Sequence, residues 1–451
     1  MIKISLHDLA KAIKGDLCQT NLTQFIPDGV SIDTREALQN KIFIALKGTR
    51  DGHDFLHIAQ EKGAILAITE KPCAFAHILV RDTAKAIKDF AQFYKNQLEV
   101  VTVGITGSVG KTTTKDLTAS IVAQQYKTIK TAGNFNNEIG LPLTVFRLER
   151  ETQAVVLEMG MNHLGEIHNL ADIARPDIAI ITNIGTAHIE NLGSRENILK
   201  AKSEILDFSP KKIILDGDDD YLPSLAHRVS ADYYYLDQPN QTYTAYNIIS
   251  RGLLGTTATI KLGDIQFVVD IPLPGRYMVK SALASAMVGH HLGLSIEQIK
   301  QGIECFEPSQ NRMDIKEGPL GRIIINDTYN ASPQSMKATI DMIVEQTGKK
   351  IAILGDMYEL GEFSDHFHAE VGYHENMARL DQLITIGPKA KAIYKAAMGQ
   401  TTVLHFESKQ HFFEEIVQTD RVHELNHAMI LIKASRGMGF EEISQRLLIE
   451  E

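Results

Sequence analysis

The chain has 451 residues, 44% of them apolar and 23% charged, and carries a formal net charge of −10. That length exceeds one ordinary core and points to about two to four domains. The acidic balance argues against a nucleic-acid-binding face, which would be basic, but leaves room for a small anionic substrate in a locally positive pocket.

The first residues, M-I-K-I-S-L-H-D-L-A-K-A-I-K-G, read as a short amphipathic helix. Ser5 and Asp8 suit its cap, Leu6, Leu9 and Ile13 share a face, and Gly15 stops it. Strands are expected at 41–46, 64–69 and 76–80. A turn and a glycine-ended helix are expected over 51–64, and a helix over 83–98. V-V-T-V-G-I-T (100–106) is a buried strand that enters a glycine loop, and a helix follows from Lys111 to Gln125. Further strands fall at 128–131, 154–159, 178–184 and 212–216, mostly separated by helical segments. Short apolar strands alternating with helices indicate a parallel sheet covered on both faces. Residues 243–272 alternate Thr, Ile, Val and Phe between glycine turns, which suggests an antiparallel appendage. Helices are expected at 277–292 and 295–305, and E-P-S-Q-N-R (307–312) reads as a linker. Beyond it, strands at 323–327, 350–356, 382–387, 402–406 and 428–434 imply a second doubly wound α/β unit.

Cys18, Cys73 and Cys305 lie far apart, so neither a disulfide framework nor a structural zinc site is expected, and a reducing cytoplasm fits. The N-terminus lacks the apolar centre of a signal peptide. No apolar run approaches the ~18 residues of a membrane span.

Residues 104–115 read G-I-T-G-S-V-G-K-T-T-T-K. The ending resembles the nucleotide loop G-x-x-x-x-G-K-[ST], but the first glycine stands one residue too early. The context of strand, loop and helix suits phosphate, because loop N–H groups and a helix N-terminus favour its oxygens. Lys111 can reach the β- and γ-phosphates and Thr112 can ligate Mg²⁺. Glu158 ends a buried strand, where an unpartnered carboxylate is costly and where open α/β sheets bind ligands. It is a candidate metal ligand or water orienter, or else a paired structural glutamate. His188, in N-I-G-T-A-H, reaches the same rim and is either a magnesium-shell residue or an ordinary loop histidine. Asn134, Asn136 and Asn137 read by themselves as turn chemistry. The spacing of K-A-K-S-E-I-L (200–206) reads as a solvated helix face.

Together these stretches resemble the Mur ligase family, ATP-dependent amide-forming ligases of bacterial cell-wall synthesis. The family's loop, G-x-T-G-[ST]-x-G-K-T, is matched by residues 104–112 at every fixed position. S-I-D-T-R (31–35), K-I-F-I-A-L-K-G-T-R-D-G-H-D-F (41–55), G-S-V-G-K-T-T-T-K-D (107–116), D-T-Y-N-A-S-P (327–333) and L-G-D-M-Y-E-L-G (354–361) look like the member that adds D-alanyl-D-alanine to UDP-N-acetylmuramoyl-tripeptide. I-T-I-G-P-K-A lacks the D-[ND]-P-R of the member that adds lysine or diaminopimelate.

The resemblance implies three α/β domains. These are a small UDP-substrate-binding domain (1–98), a central P-loop ATPase domain with a parallel sheet and a small antiparallel part (99–308), and a Rossmann-like doubly wound domain (309–451) that binds the dipeptide and closes on ATP. It implies that Gly107, Ser108, Val109, Gly110, Lys111, Thr112, Thr113, Arg312 and Asp327 bind ATP. Ser31, Thr34, Arg35, Lys47, Asn136, Asn137, Asn330, Ser435 and Arg436 would bind the other substrates. Lys111, Glu158, His188 and Lys202 would be catalytic. Thr112, Glu158, His188 and a CO₂-derived carbamate on Lys202 would hold two Mg²⁺ ions. A cytoplasmic monomer using an acyl-phosphate intermediate is expected, with neither nucleic acid nor membrane as partner. Rival readings are a sibling ligase with another amine substrate and a non-catalytic ATP-binding relative. Relatives commonly carry [HY]-N-x-x-N-A, which helps hold adenine. Here Y-M-V-K-S-A (277–282) puts Met278 and Ser281 at the asparagine positions, and Ala434 stands where glycine is expected.

Overall fold

A computed structural model describes residues 1–20, 23–309 and 311–449. Gln310, in the expected linker, lies outside the described residues. The first helix, α1 (Leu6–Ala12), is capped by Ser5, whose hydroxyl accepts from the Asp8 N–H, and it buries Leu6 and Leu9. Five short strands then form a sheet: β1 (Asp16–Cys18), β2 (Gly29–Ser31), β3 (Lys41–Ile44), β4 (Leu66–Thr69) and β5 (His77–Leu79). Their order is β1-β5-β4-β3-β2. Of these, β1 and β2 carry too few apolar residues to stand out in the sequence. A long amphipathic helix, α2 (Thr83–Lys95), buries Ala86, Ile87, Phe90 and Tyr94 against the central domain, and the Tyr94 hydroxyl donates to the Leu148 carbonyl at 2.6 Å.

The central sheet has nine strands: β6 (Val101–Thr106), β7 (Thr128–Lys130), β8 (Ala154–Glu158), β9 (Ile178–Ile181), β10 (Lys212–Asp216), β11 (Asp232–Leu236), β12 (Tyr243–Ser250), β13 (Thr256–Leu262) and β14 (Ile265–Ile271). Their order is β14-β13-β12-β11-β10-β9-β6-β8-β7. The antiparallel strands β12, β13 and β14 form no separate unit. β12 pairs in parallel with β11, so they extend the same sheet. The joining strand β11, D-Y-Y-Y-L, has no apolar alternation and was not expected from the sequence.

Behind the glycine loop stands α3 (Lys111–Val122), packed on α4 (Arg276–His291) and α5 (Ile296–Glu304). Small residues allow the close approach. A Cβ on Gly302 would fall 2.4 Å from the Ile121 Cα, and the Thr118 and Ser285 hydroxyls bond at 3.0 Å across α3 and α4.

The third unit has six strands: β15 (Asp314–Glu317), β16 (Ile323–Asn326), β17 (Lys349–Gly355), β18 (Gln382–Ile386), β19 (Thr402–Phe406) and β20 (Ala428–Lys433). Their order is β15-β16-β20-β17-β18-β19, parallel except for the polar edge strand β15. The chain thus has a three-domain α/β architecture with mixed parallel and antiparallel sheets. Among the described residues, no helix is long and apolar enough to cross a membrane.

Candidate active site

The glycine loop leaves β6 at the C-terminal edge of the central sheet. Gly107 has φ +149°, and a Cβ there would lie 1.9 Å from the Thr182 Oγ1, so only glycine fits. The loop after β9 holds its shape. Asn183 accepts from the Val109 N–H (2.9 Å) through its side chain and from the Ser108 N–H (3.0 Å) through its carbonyl. Thr182 and Asn183 both donate to the Val109 carbonyl. Neither residue stands out by type in the sequence, although N-I-G-T-A-H marks the segment.

Lys111 donates to the Gly107 carbonyl at 2.7 Å, and Lys202 donates to the same oxygen at 2.9 Å. Lys202 is 1% exposed, which corrects the solvated-face reading: Lys200 meets solvent, whereas Lys202 turns inward under the loop. Burial, and then the charge of Lys111, push the Lys202 amine well below the ordinary lysine range. Burial also lowers Lys111, opposed by Glu158 and reinforced by Arg312.

Glu158 ends β8 and is 2% exposed. Its carboxylate accepts from the Thr112 hydroxyl and from the Asn136 amide, each at 2.8 Å. Asn136 is thereby an orienting partner as well as part of the cavity wall. Asn137 lines the same wall, but its side-chain oxygen accepts from the Ile139 and Gly140 N–H groups. The Nδ1 of His188 lies 2.6 Å from the Glu359 carboxylate of the third domain. Both residues have left-handed backbone, φ +64° and +62°. The Thr186 hydroxyl donates to Gln334, also across the two domains, at 3.1 Å.

These residues border a cavity of about 1200 Å³ between the central and third domains. One wall holds Ser108–Thr113, Asn136, Asn137, Glu158 and His188. The facing wall holds Arg312, Asp327, Asn330, Ser435 and Arg436. Asp327 is held by the buried Lys433, which also donates to the Asn330 carbonyl at 3.1 Å. Ser435 accepts from the Tyr358 N–H at 2.8 Å. Asp216, Asp218, Met278, Lys280 and Ser281 also line the cavity, Ser281 beside Gly110 of the loop. Lys280 contacts both Asp216 oxygens, at 2.8 and 3.1 Å, and burial pushes the Asp216 carboxyl up to about 6. Ser31, Thr34, Arg35 and Lys47 do not line this cavity. They belong to the first domain, where the Ser31 hydroxyl donates to Glu36, Arg35 pairs with Asp33, and Lys47 pairs with Glu70.

The chain matches the pattern of the Mur ligase middle domain over residues 105–289 and that of the Mur ligase glutamate ligase domain over 311–436. It is 38% identical to the UDP-N-acetylmuramoyl-tripeptide–D-alanyl-D-alanine ligase of Bacillus subtilis, with 99% of each chain covered. In structure it is similar to MurF of Acinetobacter baumannii (TM-score 0.90, 28% identity, 99% of each chain). It is also similar to the Thermotoga maritima MurF ligase in complex with ADP (TM-score 0.80, 27% identity, 93% of this chain and 96% of that one).

Proposed function

The chain belongs to the Mur ligase family, and from that premise we propose a division of labour among its residues. The reaction is an ATP-dependent amide ligation. D-alanyl-D-alanine is joined to UDP-N-acetylmuramoyl-tripeptide, giving the pentapeptide precursor of peptidoglycan, with ADP and phosphate released. A carboxylate is a poor acyl donor at neutral pH, because its oxygen leaves badly. Transfer of the γ-phosphoryl group makes it an acyl phosphate. The dipeptide amine then attacks the carbonyl carbon, and phosphate departs with the bonding pair.

Positioning and charge neutralisation carry such chemistry. The observation that supports these roles most directly is the cavity itself, with Lys111, Thr112 and Glu158 on one wall and Arg312, Asn330 and Arg436 on the other. Residues Gly107 to Thr113 cradle the phosphates through loop N–H groups and the Lys111 ammonium. Arg312 and Asp327 approach the nucleotide from the third domain. Asn136 and Asn137 face the acyl substrate. Asn330, Ser435 and Arg436 face the dipeptide. Ser31, Thr34, Arg35 and Lys47 hold the uridine nucleotide in the first domain, remote from the reacting atoms. The proposed boundaries are 1–98, 99–308 and 309–451, and the use of nucleotide-linked substrates supports a reaction in the cytoplasm.

Family membership brings Mg²⁺ with ATP. When bound, the ion offsets the repulsion between the γ-phosphate and the incoming carboxylate. Thr112 and Glu158 fit it as touching hard-oxygen donors. Among the described residues, no group of three or more His, Cys, Asp or Glu converges. A second ion would draw on His188 and on a carbamate at Lys202. The depressed basicity of Lys202 supports the carbamate, because only a neutral amine adds CO₂, releasing a proton as it does so.

Phosphate release from ATP with UDP-N-acetylmuramoyl-tripeptide tests the reading. Stimulation is expected with D-alanyl-D-alanine and not with single amino acids. Lys111→Ala should lower it roughly 10²–10³-fold. Stimulation by a single amino acid would point to a sibling ligase. No stimulation by any amine would point to a non-catalytic relative, the outcome towards which Met278 and Ser281 lean.

A further inference from the structure

Arg312 is presented by an unusual piece of backbone. Its neighbours Asn311 and Met313 both adopt left-handed conformations, φ +59° and +51°, which cost free energy in residues other than glycine and persist only when their surroundings impose them. The surroundings do so here. The Asn326 amide donates to the Asn311 side chain at 2.9 Å, and the Thr328 hydroxyl donates to Asn326 at 2.7 Å. The Asp327 carboxylate accepts from the Met313 N–H, and the Tyr329 N–H donates to the Asn311 carbonyl at 3.1 Å. The segment 326–329 therefore clamps both residues that flank Arg312.

The clamp ends in an aromatic ring. The Arg312 guanidinium lies 3.9 Å from the centre of the Tyr329 ring, and the Arg436 guanidinium, which also pairs with Glu441 at 3.3 Å, lies 6.0 Å from the same centre. All three side chains border the cavity. Among the described residues, the buried Nε of Arg312 has no hydrogen-bond partner and no carboxylate pairs with the guanidinium, so the Tyr329 ring is its main contact. A guanidinium fixed by its flat face keeps its N–H edge free for an anion.

We propose that Tyr329 is a positioning residue shared by two substrates: its ring holds Arg312 towards the nucleotide and Arg436 towards the dipeptide, so that the two sites are set by one side chain. The inference rests on the assignment of Arg312 and Arg436 under Proposed function. Its consequence is that loss of the ring weakens both substrates together and leaves the third, bound through the first domain, unaffected.

The test is steady-state kinetics of the full-length protein with all three substrates, for Tyr329→Leu, Tyr329→Phe and Arg312→Ala, with thermal unfolding alongside. Cation–π contacts of this kind correspond to about two- to thirty-fold in binding. Tyr329→Leu should raise KM for ATP and for D-alanyl-D-alanine within that range, with KM for UDP-N-acetylmuramoyl-tripeptide unchanged. Tyr329→Phe keeps the ring and should match the parent. Equal losses for all three substrates would indicate general disruption and overturn the proposal, as would a Phe variant as impaired as Leu. Should Tyr329→Leu fail to fold, Arg312→Ala decides. It keeps the ring and its contact with Arg436, so it should raise KM for ATP about two-fold or more and leave KM for the dipeptide unchanged; a dipeptide KM raised alongside would show that the ring does not hold Arg436 and overturn the proposal. An unchanged ATP KM in Arg312→Ala would instead refute the assignment of Arg312 itself.

Discussion

Lys202 carries the sharpest contrast between spacing and surroundings. Two basic residues two apart on a helix normally share solvent, yet only Lys200 does so here. Lys202 was recognisable only through family resemblance, because the carbonyl that receives it, Gly107, is far away in the chain. Lys202→Ala should leave a weakly active enzyme whose phosphate release partly recovers on addition of short carboxylic acids; absence of recovery would argue against a carbamate. Asp216 offers a test through stability. Burial raises its carboxyl to about 6, opposed by Lys280. Between the ordinary aspartate value and about 6, the folded state therefore binds more proton than the unfolded state, and the stability contributed by this group falls as pH rises through that window. Comparing denaturant unfolding of the parent with Asp216→Asn from pH 4 to 7 should show a pH-dependent difference of roughly 3 kcal/mol. A flat difference would remove the assignment.

Elements whose sequence matches their burial were legible, and those defined by their neighbours were not. The strand β6, the loop and α3 are local objects: an apolar run, glycines at required positions, and a helix that starts at Lys111. The edge strand β15, D-I-K-E, and the joining strand β11, D-Y-Y-Y-L, have no burial pattern of their own and exist because a neighbouring strand pairs with them. The same logic makes the α3–α5 contact fragile. With a Cβ at Gly302 only 2.4 Å from backbone at Ile121, Gly302→Ala must push α5 away from α3. The expected cost is about 1–3 kcal/mol, read as a lower midpoint in chemical unfolding. An unchanged midpoint would mean that the helices separate without penalty.

At the scale of the whole molecule, the active cavity is a property of domain placement. The phosphate loop was readable from the chain, but its facing wall was not, because pairs such as His188 with Glu359 and Thr186 with Gln334 arise only when the third domain stands over the central sheet. The first-domain residues proposed to hold the uridine nucleotide lie outside that cavity, so on that proposal the uridine-linked substrate spans from one domain to the other. The two lysines on the Gly107 carbonyl have a consequence for how the purified protein will behave. Burial disfavours the Lys111 charge and depresses Lys202 further, and a polyphosphate that enters supplies negative charge that favours the ammonium form beside it. Nucleotide at a hundredfold excess over its Kd should add about 2.7 kcal/mol to the domain that holds the loop. Inorganic tripolyphosphate, which has no base or sugar, should give part of the same rise in melting temperature, most strongly in dilute salt. Differential scanning fluorimetry reads this directly, and a tripolyphosphate shift that is absent in Lys111→Ala would trace the effect to the loop.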